Sequence, residues 1–284
     1  MGTTKILREA REALDDAGLR GSFLVRDLDT GDELGLDADV EYPVASLVKV
    51  PLAIATLERV DRGELDAATP VVVPPGRVTA RGPIGLPKFR HPATIALDDL
   101  LYLSMAISDS TAADALFALT PPHAVAAELR RLGHDGIAVR HLMRDLVDTP
   151  AERFTPAEGH LAHSLAIAAA TEGRGHPVTQ LDISRANAGS ARAFVDLLHG
   201  VWRPTTIRPA VAERVRELMG TTRCATGSHP TSAPTRRGGR PRPARCSTCG
   251  TRSVWSSTPT ARRSPSPRSP SRACRPWCSP ARRR

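Results

Sequence analysis

Fourteen consecutive residues, Val44-Ala45-Ser46-Leu47-Val48-Lys49-Val50-Pro51-Leu52-Ala53-Ile54-Ala55-Thr56-Leu57, carry a single charge, that of Lys49. A run this apolar at helical spacing reads as a long apolar helix. Ser46 and Lys49 stand three apart at its start, so on a helix they share a face and come within hydrogen-bond reach. An amine held among apolar neighbours loses proton affinity and can act as a base. A serine hydroxyl becomes a nucleophile when such a base takes its proton. The free N–H groups of a helix start supply oxyanion donors beside it. The stretch therefore reads as an acyl-serine site, with Ser46 as nucleophile and Lys49 as base. The same four residues also fit an N-cap followed by a solvated first-turn lysine, so other segments have to decide.

Charge divides the chain in two. Of its 39 Lys and Arg, 15 arginines fall between Arg223 and Arg284, a stretch without Lys, Asp or Glu. Residues 1–222 therefore hold 24 basic and 30 acidic residues, a net of −6, and the formal +9 belongs to the tail. An affinity for nucleic acid or anionic surfaces is accordingly a reading of the tail and not of the body. All five cysteines (Cys224, Cys246, Cys249, Cys274 and Cys278) also lie in the tail. The cysteine-free body neither needs nor excludes an oxidising compartment. Residues 1–20 contain Arg8, Glu9, Arg11, Glu12, Asp15 and Asp16 in place of the apolar core of a signal peptide. No apolar run is long enough to span a bilayer. A cytoplasmic protein without a membrane partner is expected.

Taken in order, the periodicity predicts a helix over residues 3–17 stopped by Gly18. A hairpin follows, with strands over 22–28 and 33–36 joined at Asp29-Thr30-Gly31-Asp32. The helix after Ser46 runs to about Arg62, where Gly63 stops it. Residues 66–94, rich in Pro, Gly and Val, read as a long irregular connection, with Thr94 capping a helix through Met105. Ser108-Asp109-Ser110 breaks that helix, and another continues through Phe117 to Pro121-Pro122. One more covers 123–132 before Gly133. A loop around 145–156, an Ala-rich helix over 159–171, a loop through Gly173, Gly175 and Pro177, and helices over 188–202 and 209–219 complete the body. One hairpin followed by many helices is an α+β pattern.

Ser108-Asp109-Ser110 stands about sixty residues beyond Ser46 in a short break between helices. Such a loop presents a hydroxyl to a site built on another helix. A second serine there can relay a proton to a leaving nitrogen. Helix capping is the plainer reading of the three residues taken alone.

Together the segments carry a resemblance. Tyr42-Pro43-Val44-Ala45-Ser46-Leu47-Val48-Lys49-Val50, followed by Leu57-Glu58-Arg59-Val60-Asp61-Arg62-Gly63, resembles the active-site helix of class A serine β-lactamases. Leu97-Asp98-Asp99-Leu100-Leu101 through Ser108-Asp109-Ser110-Thr111-Ala112-Ala113 resembles that family's Ser-Asp-Asn loop and the helix after it. The resemblance covers residues 5–130 and, more loosely, 186–220. It implies an antiparallel sheet flanked by helices with an adjoining all-helical lobe, the β-lactamase/transpeptidase-like fold. It also implies roles: acyl-enzyme formation at Ser46 with Lys49 activating it, proton transfer by Ser108, substrate binding by Ser110 and loop shaping by Asp109. The expected partner is a small acyl substrate, a β-lactam or a peptide-like compound. No cofactor, metal or specific nucleic acid is expected, and the protein is read as a monomer.

Three departures qualify this. Ser110 stands where the family has Asn, and a hydroxyl cannot offer both an amide donor and a carbonyl acceptor. No Glu-x-x-Leu-Asn string supplies a deacylating carboxylate; Asp145, Asp148 and Glu152 lie in the corresponding region but read as solvated loop charges. Without that base an acyl-enzyme persists, as in a penicillin-binding or esterase-like protein. The Lys-Thr-Gly strand is also missing, because no Lys follows Lys88. Ala225-Thr226-Gly227-Ser228 resembles it only superficially. Residues 223–284 have no hydrophobic period and read as a disordered tail. The C-terminal strands of an otherwise family-like domain over 1–222 are therefore expected to be lacking.

The genetic code offers an origin for that tail. Codons formed from the last base of one codon and the first two of the next permit Lys-Thr-Gly-Thr across the junctions from Pro241 to Arg245. The same frame permits Arg-Asn-Glu-Val-Gly-Val-Val-Glu across Cys249 to Ser257. This is the family's order, and it points to a frame change near Thr222. A zinc site at Cys246, Cys249, Cys274 and Cys278 finds no strand or helix to hold it. Binding of RNA or phosphate by the Arg-Ser-Pro stretch would be non-specific. His160 and His163 form a helical pair with no third ligand. Two rival readings stay open: a non-catalytic binding protein using the basic tail, and an esterase or peptidase using the same Ser–Lys pair.

Overall fold

Helix α2 (Lys49–Asp61) is walled in by helices, as its sequence requires. Val48 before it, and Leu52, Ile54 and Ala55 within it, have no exposed surface. A helix apolar on every side has to run through the core. Pro51 sits in its first turn, where a missing N–H costs nothing. This is a computed structural model describing residues 2–75, 82, 84–146 and 182–221. The expected loop and helix between 147 and 177 lie outside the described residues, as does the 223–284 tail. So do Asp148, Glu152, His160, His163 and all five cysteines.

Around α2 stand α3 (Leu97–Ala106), α4 (Ser110–Leu119), α5 (Pro122–Arg131) and α7 (Pro209–Gly220). Leu97, Leu100, Leu101, Leu116, Phe117, Val125 and Val215 fill the space between them. The predicted hairpin forms as β1 (Phe23–Arg26) and β2 (Glu33–Leu36), antiparallel with Phe23 opposite Leu36. Helix α1 (Thr3–Asp16) lies against β2, and α6 (Ala191–Trp202) against β1 and α7.

Three expectations need correction. Residues 66–94 are not simply irregular, because β4 (Pro70–Val73) pairs antiparallel with β5 (Ala93–Ala96). Three valines in a row supply the β-branched pattern, and Pro70 sits at the strand's start, where its missing N–H is tolerated. Thr94 therefore lies within β5, and α3 begins at Leu97 with no side-chain cap. Residues 188–190 are strand β7 (Ala188–Ser190), with helix only from Ala191, capped by Ser190 Oγ accepting the Ala193 N–H at 3.1 Å. β7 runs between β3 (Glu41–Pro43) and β6 (Ile137–Ala138), so the order is β3-β7-β6. These short partners lie some 50 and 150 residues apart in the chain, which is why no local pattern announced them.

One charge is buried whole. Glu58 of α2 has no exposed surface and accepts from Arg131 at 2.7 Å and from the Arg208 N–H at 2.9 Å. Arg62 meets Glu128 through two bonds, at 2.7 and 3.2 Å. Burial works against the Glu128 carboxylate, but the guanidinium groups of Arg131 and Arg62 outweigh it and leave its pKa lowered. The network ties α2 to α5 and to the segment leading into α7. Replacing Glu58 by Ala strips the Arg208 N–H of its acceptor and takes from Arg131 one of its two carboxylates. Because those arginines reach solvent, the expected loss is at the low end for a broken buried pair, about 3 kcal/mol. Urea unfolding measures it; a loss below about 1 kcal/mol would contradict the reading.

Candidate active site

Ser46 lies in a single 3-10 turn, Ala45–Val48, that runs directly into α2. The turn is entered through Ala45 at φ +41°, a left-handed conformation that costs a residue bearing Cβ about 1 kcal/mol. Val44 is held just before it by donating its N–H to Asn187 O at 2.9 Å. The Ser46 side chain is exposed and makes no hydrogen bond among the described residues.

Lys49 is only 3% exposed. Its Nζ donates to Ser108 O at 2.5 Å and meets Ser108 Oγ at 2.9 Å and Ser110 Oγ at 3.3 Å. The i, i+3 spacing thus does not join Ser46 to Lys49 by a hydrogen bond; the amine instead bridges α2 to the break between α3 and α4. Burial drives its pKa down from 10.5 to about 8, with the charges of Asp109 and Asp114 pulling part of the way back. An amine with a pKa of about 8 is deprotonated in about one molecule in ten at pH 7.

Asp109 shapes the break. Its Oδ1 accepts from the N–H groups of Thr111 and Ala112 at 2.9 and 3.0 Å, capping α4, and its Oδ2 accepts from the Leu86 N–H at 2.7 Å. Ser108, beside it, is exposed at φ +57°. Gly85 allows the loop at Leu86 to approach: at φ +75°, any Cβ there would collide with Asp109 Oδ2 and crowd Ile107.

Sequence reasoning overlooked three residues around this core. Gly85 is one, hidden in a Pro/Gly-rich stretch. Asp114 is another, one helical turn past Ser110, a spacing that could have exposed it. It accepts from the N–H groups of Met143 and Arg144 at 2.6 and 3.0 Å, and burial pushes its pKa up to about 6 against those bonds. Asn187 is the third. Its Oδ1 accepts from Arg140 and His141 N–H at 2.7 and 3.2 Å, and its own N–H donates to His141 Nε2 at 3.0 Å. This assigns the His141 proton to Nδ1, which faces Leu142 O at 2.8 Å. Asp145 accepts from the Leu142 N–H at 2.9 Å and closes a turn. No group of three or more His, Cys, Asp or Glu is arranged to hold a metal among the described residues. No helix among them is long and apolar enough to cross a membrane.

Two predictions follow from the geometry. A pKa lowered on folding means that the folded state sheds its proton first, so Lys49 costs stability at low pH and less of it as pH rises from about 8 towards 10.5. Lys49→Met is therefore expected to be more stable than the parent at pH 7, with the advantage shrinking across that window; thermal unfolding at several pH values checks this, and a pH-independent difference would refute it. Gly85→Ala is expected to cost at least about 2 kcal/mol more than Gly63→Ala. Both glycines have positive φ, but only Gly85 faces a clash. Equal losses in urea would contradict the Asp109 contact.

A family model described as the β-lactamase enzyme family matches residues 5–231. A β-lactamase regulatory protein, BlaB of Streptomyces cacaoi, is 56% identical over 230 residues, covering 77% of this chain and 74% of the relative. A β-lactamase from Chitinophaga pinensis shares the fold with a TM-score of 0.57 at 22% identity, over 79% of this chain and 74% of that one. The penicillin-binding protein PBP-A shares it at 0.58 and 17% identity, over 77% and 69%. An ancestral class A β-lactamase does so at 0.58 and 19%, over 77% and 72%. These matches bear out the β-lactamase-like fold, and the chain belongs to the β-lactamase enzyme family.

Proposed function

We propose that this protein is a serine acyl-transfer protein that takes the acyl group of a β-lactam, or of a related amide or ester, onto Ser46 and holds it. The observation that carries this is Lys49, a buried amine with its pKa brought to about 8, three residues after an exposed serine. In its neutral form Lys49 accepts the proton released as Ser46 Oγ attacks. Ser108, bonded to that amine, passes a proton to the leaving nitrogen, and Ser110 offers its hydroxyl to the substrate. The Ser46 N–H supplies one oxyanion donor. A PBP-A variant of the same fold has been solved as an acyl-enzyme complex with penicillin G, which supports the reading.

Release is expected to be slow. Among the described residues, the carboxylates nearest Lys49 are already engaged: Asp109 by three N–H groups and Asp114 by two. Neither is free to activate water. The missing Lys-Thr-Gly strand removes a second oxyanion donor, a loss worth about 10²–10³ in rate. We attribute its absence to a frame change near codon 222, which resequencing codons 215–250 tests. An unaltered reading frame there would refute that origin.

A labelled penicillin is expected to form one stable adduct on the peptide containing Ser46, absent from Ser46→Ala. The adduct should form faster as pH rises towards and through about 8, because the neutral amine is the base. No adduct at any pH, or undiminished labelling of Ser46→Ala, would overturn the assignment. Sustained turnover of a chromogenic cephalosporin, lost on Ser46→Ala, would overturn slow release. A regulatory role is favoured by the S. cacaoi relative's description as a regulatory protein, and a long-lived adduct would serve it. Penicillin binding without an adduct would select a non-covalent version.

A further inference from the structure

We infer that Ser108 is a second acyl acceptor of this site, taking the acyl group of small activated esters without the participation of Ser46. The inference rests on the reading of Lys49 as the base, and asks which hydroxyl that base serves. Among the described residues, all three polar contacts of Lys49 Nζ come from the α3–α4 break: Ser108 O, Ser108 Oγ and Ser110 Oγ. A neutral amine has two N–H bonds and one lone pair. A carbonyl oxygen only accepts, so one N–H is committed to Ser108 O. The remaining N–H and the lone pair are left for the two hydroxyls.

Charged, Lys49 donates to both hydroxyls, at 2.9 Å to Ser108 Oγ and 3.3 Å to Ser110 Oγ; once the amine is neutral, the nearer Ser108 hydroxyl can turn its O–H to the lone pair while Ser110 Oγ takes the second N–H. Ser46 has no bond to the amine. Without a β-lactam in the site, the hydroxyl best placed to give its proton to Lys49 is therefore that of Ser108. It is also accessible, because Ser108 is exposed on a turn that the bonds of Asp109 to Leu86, Thr111 and Ala112 hold still. Its left-handed backbone, at φ +57°, is maintained by those contacts against its own preference.

The step balances without a co-reactant. Ser108 Oγ attacks the ester carbonyl and its proton passes to Lys49 Nζ. The new Oγ–C bond forms as the bond to the alkoxy oxygen breaks, and an activated leaving group such as p-nitrophenolate departs as an anion, needing no proton. A β-lactam nitrogen does need one. This is why the β-lactam reaction keeps Ser108 as the relay, while a small activated ester can use it as the nucleophile.

The test treats the full chain and its Ser46→Ala variant with p-nitrophenyl acetate and maps the adduct by peptide mass spectrometry. In Ser46→Ala we expect one acetyl group on Ser108, removable by hydroxylamine as an ester. Adding Ser108→Gly, a substitution that the positive φ accommodates without strain, should abolish it. An unlabelled Ser46→Ala beside a parent labelled at Ser46 would overturn this inference and leave the Ser46 assignment standing. An adduct on Lys49 Nζ, resistant to hydroxylamine, would also overturn it. A parent that labels on neither serine would overturn both.

Discussion

The site depends on one buried amine. Lys49 is carried inward because the helix around it must be buried, and once inside it needs partners that α2 does not supply. It finds them in the backbone and hydroxyl of Ser108 and the hydroxyl of Ser110, about sixty residues away. The contact joins the central helix to the α3–α4 break. Burial lowers the amine's proton affinity, so the feature that costs stability is also the one on which the proposed base depends.

Other elements hold this contact in place. Asp109 caps α4 and secures Leu86, and it does so because residue 85 is glycine. Asn187 fixes Val44, and with it the entry to the Ser46 turn, while also gripping the segment at residues 140–141. Glu58 anchors the far end of α2 among arginines. Membership of the β-lactamase family fits a scaffold in which a helical core presents a serine at its border with small antiparallel sheets. The proposed slow release rests on what surrounds the pair: a serine at position 110, and two carboxylates acting on Lys49, Asp109 and Asp114, that already accept backbone N–H groups.

Much of this was legible in the sequence where the signal is local. Ser46 and Lys49 stand out because a polar pair opens an otherwise apolar run, and the first hairpin because a turn separates two alternating segments. Ser108-Asp109-Ser110 was legible as a break between helices. What escaped depends on contacts between distant residues. Strands β4 and β5 stand about twenty residues apart in the chain, and β3, β6 and β7 are two or three residues each, too short for a period to register. The i, i+3 rule drew Ser46 and Lys49 together but said nothing of rotamer. A long side chain goes where acceptors are, and these lay at the α3–α4 break. The role of Gly85 was invisible for the same reason, since it is defined by a carboxylate 24 residues further on.

The central claim concerns the protonation of one lysine, and the chain contains only Lys5, Lys49 and Lys88. An NMR titration of protein labelled in its lysine side chains therefore resolves the question directly, with Lys49→Met identifying the signal. The account predicts that the Lys49 signal titrates with a midpoint near 8. A midpoint at the ordinary value of 10.5 would mean that the amine remains charged at neutral pH and cannot be the base, and the account would fail with it.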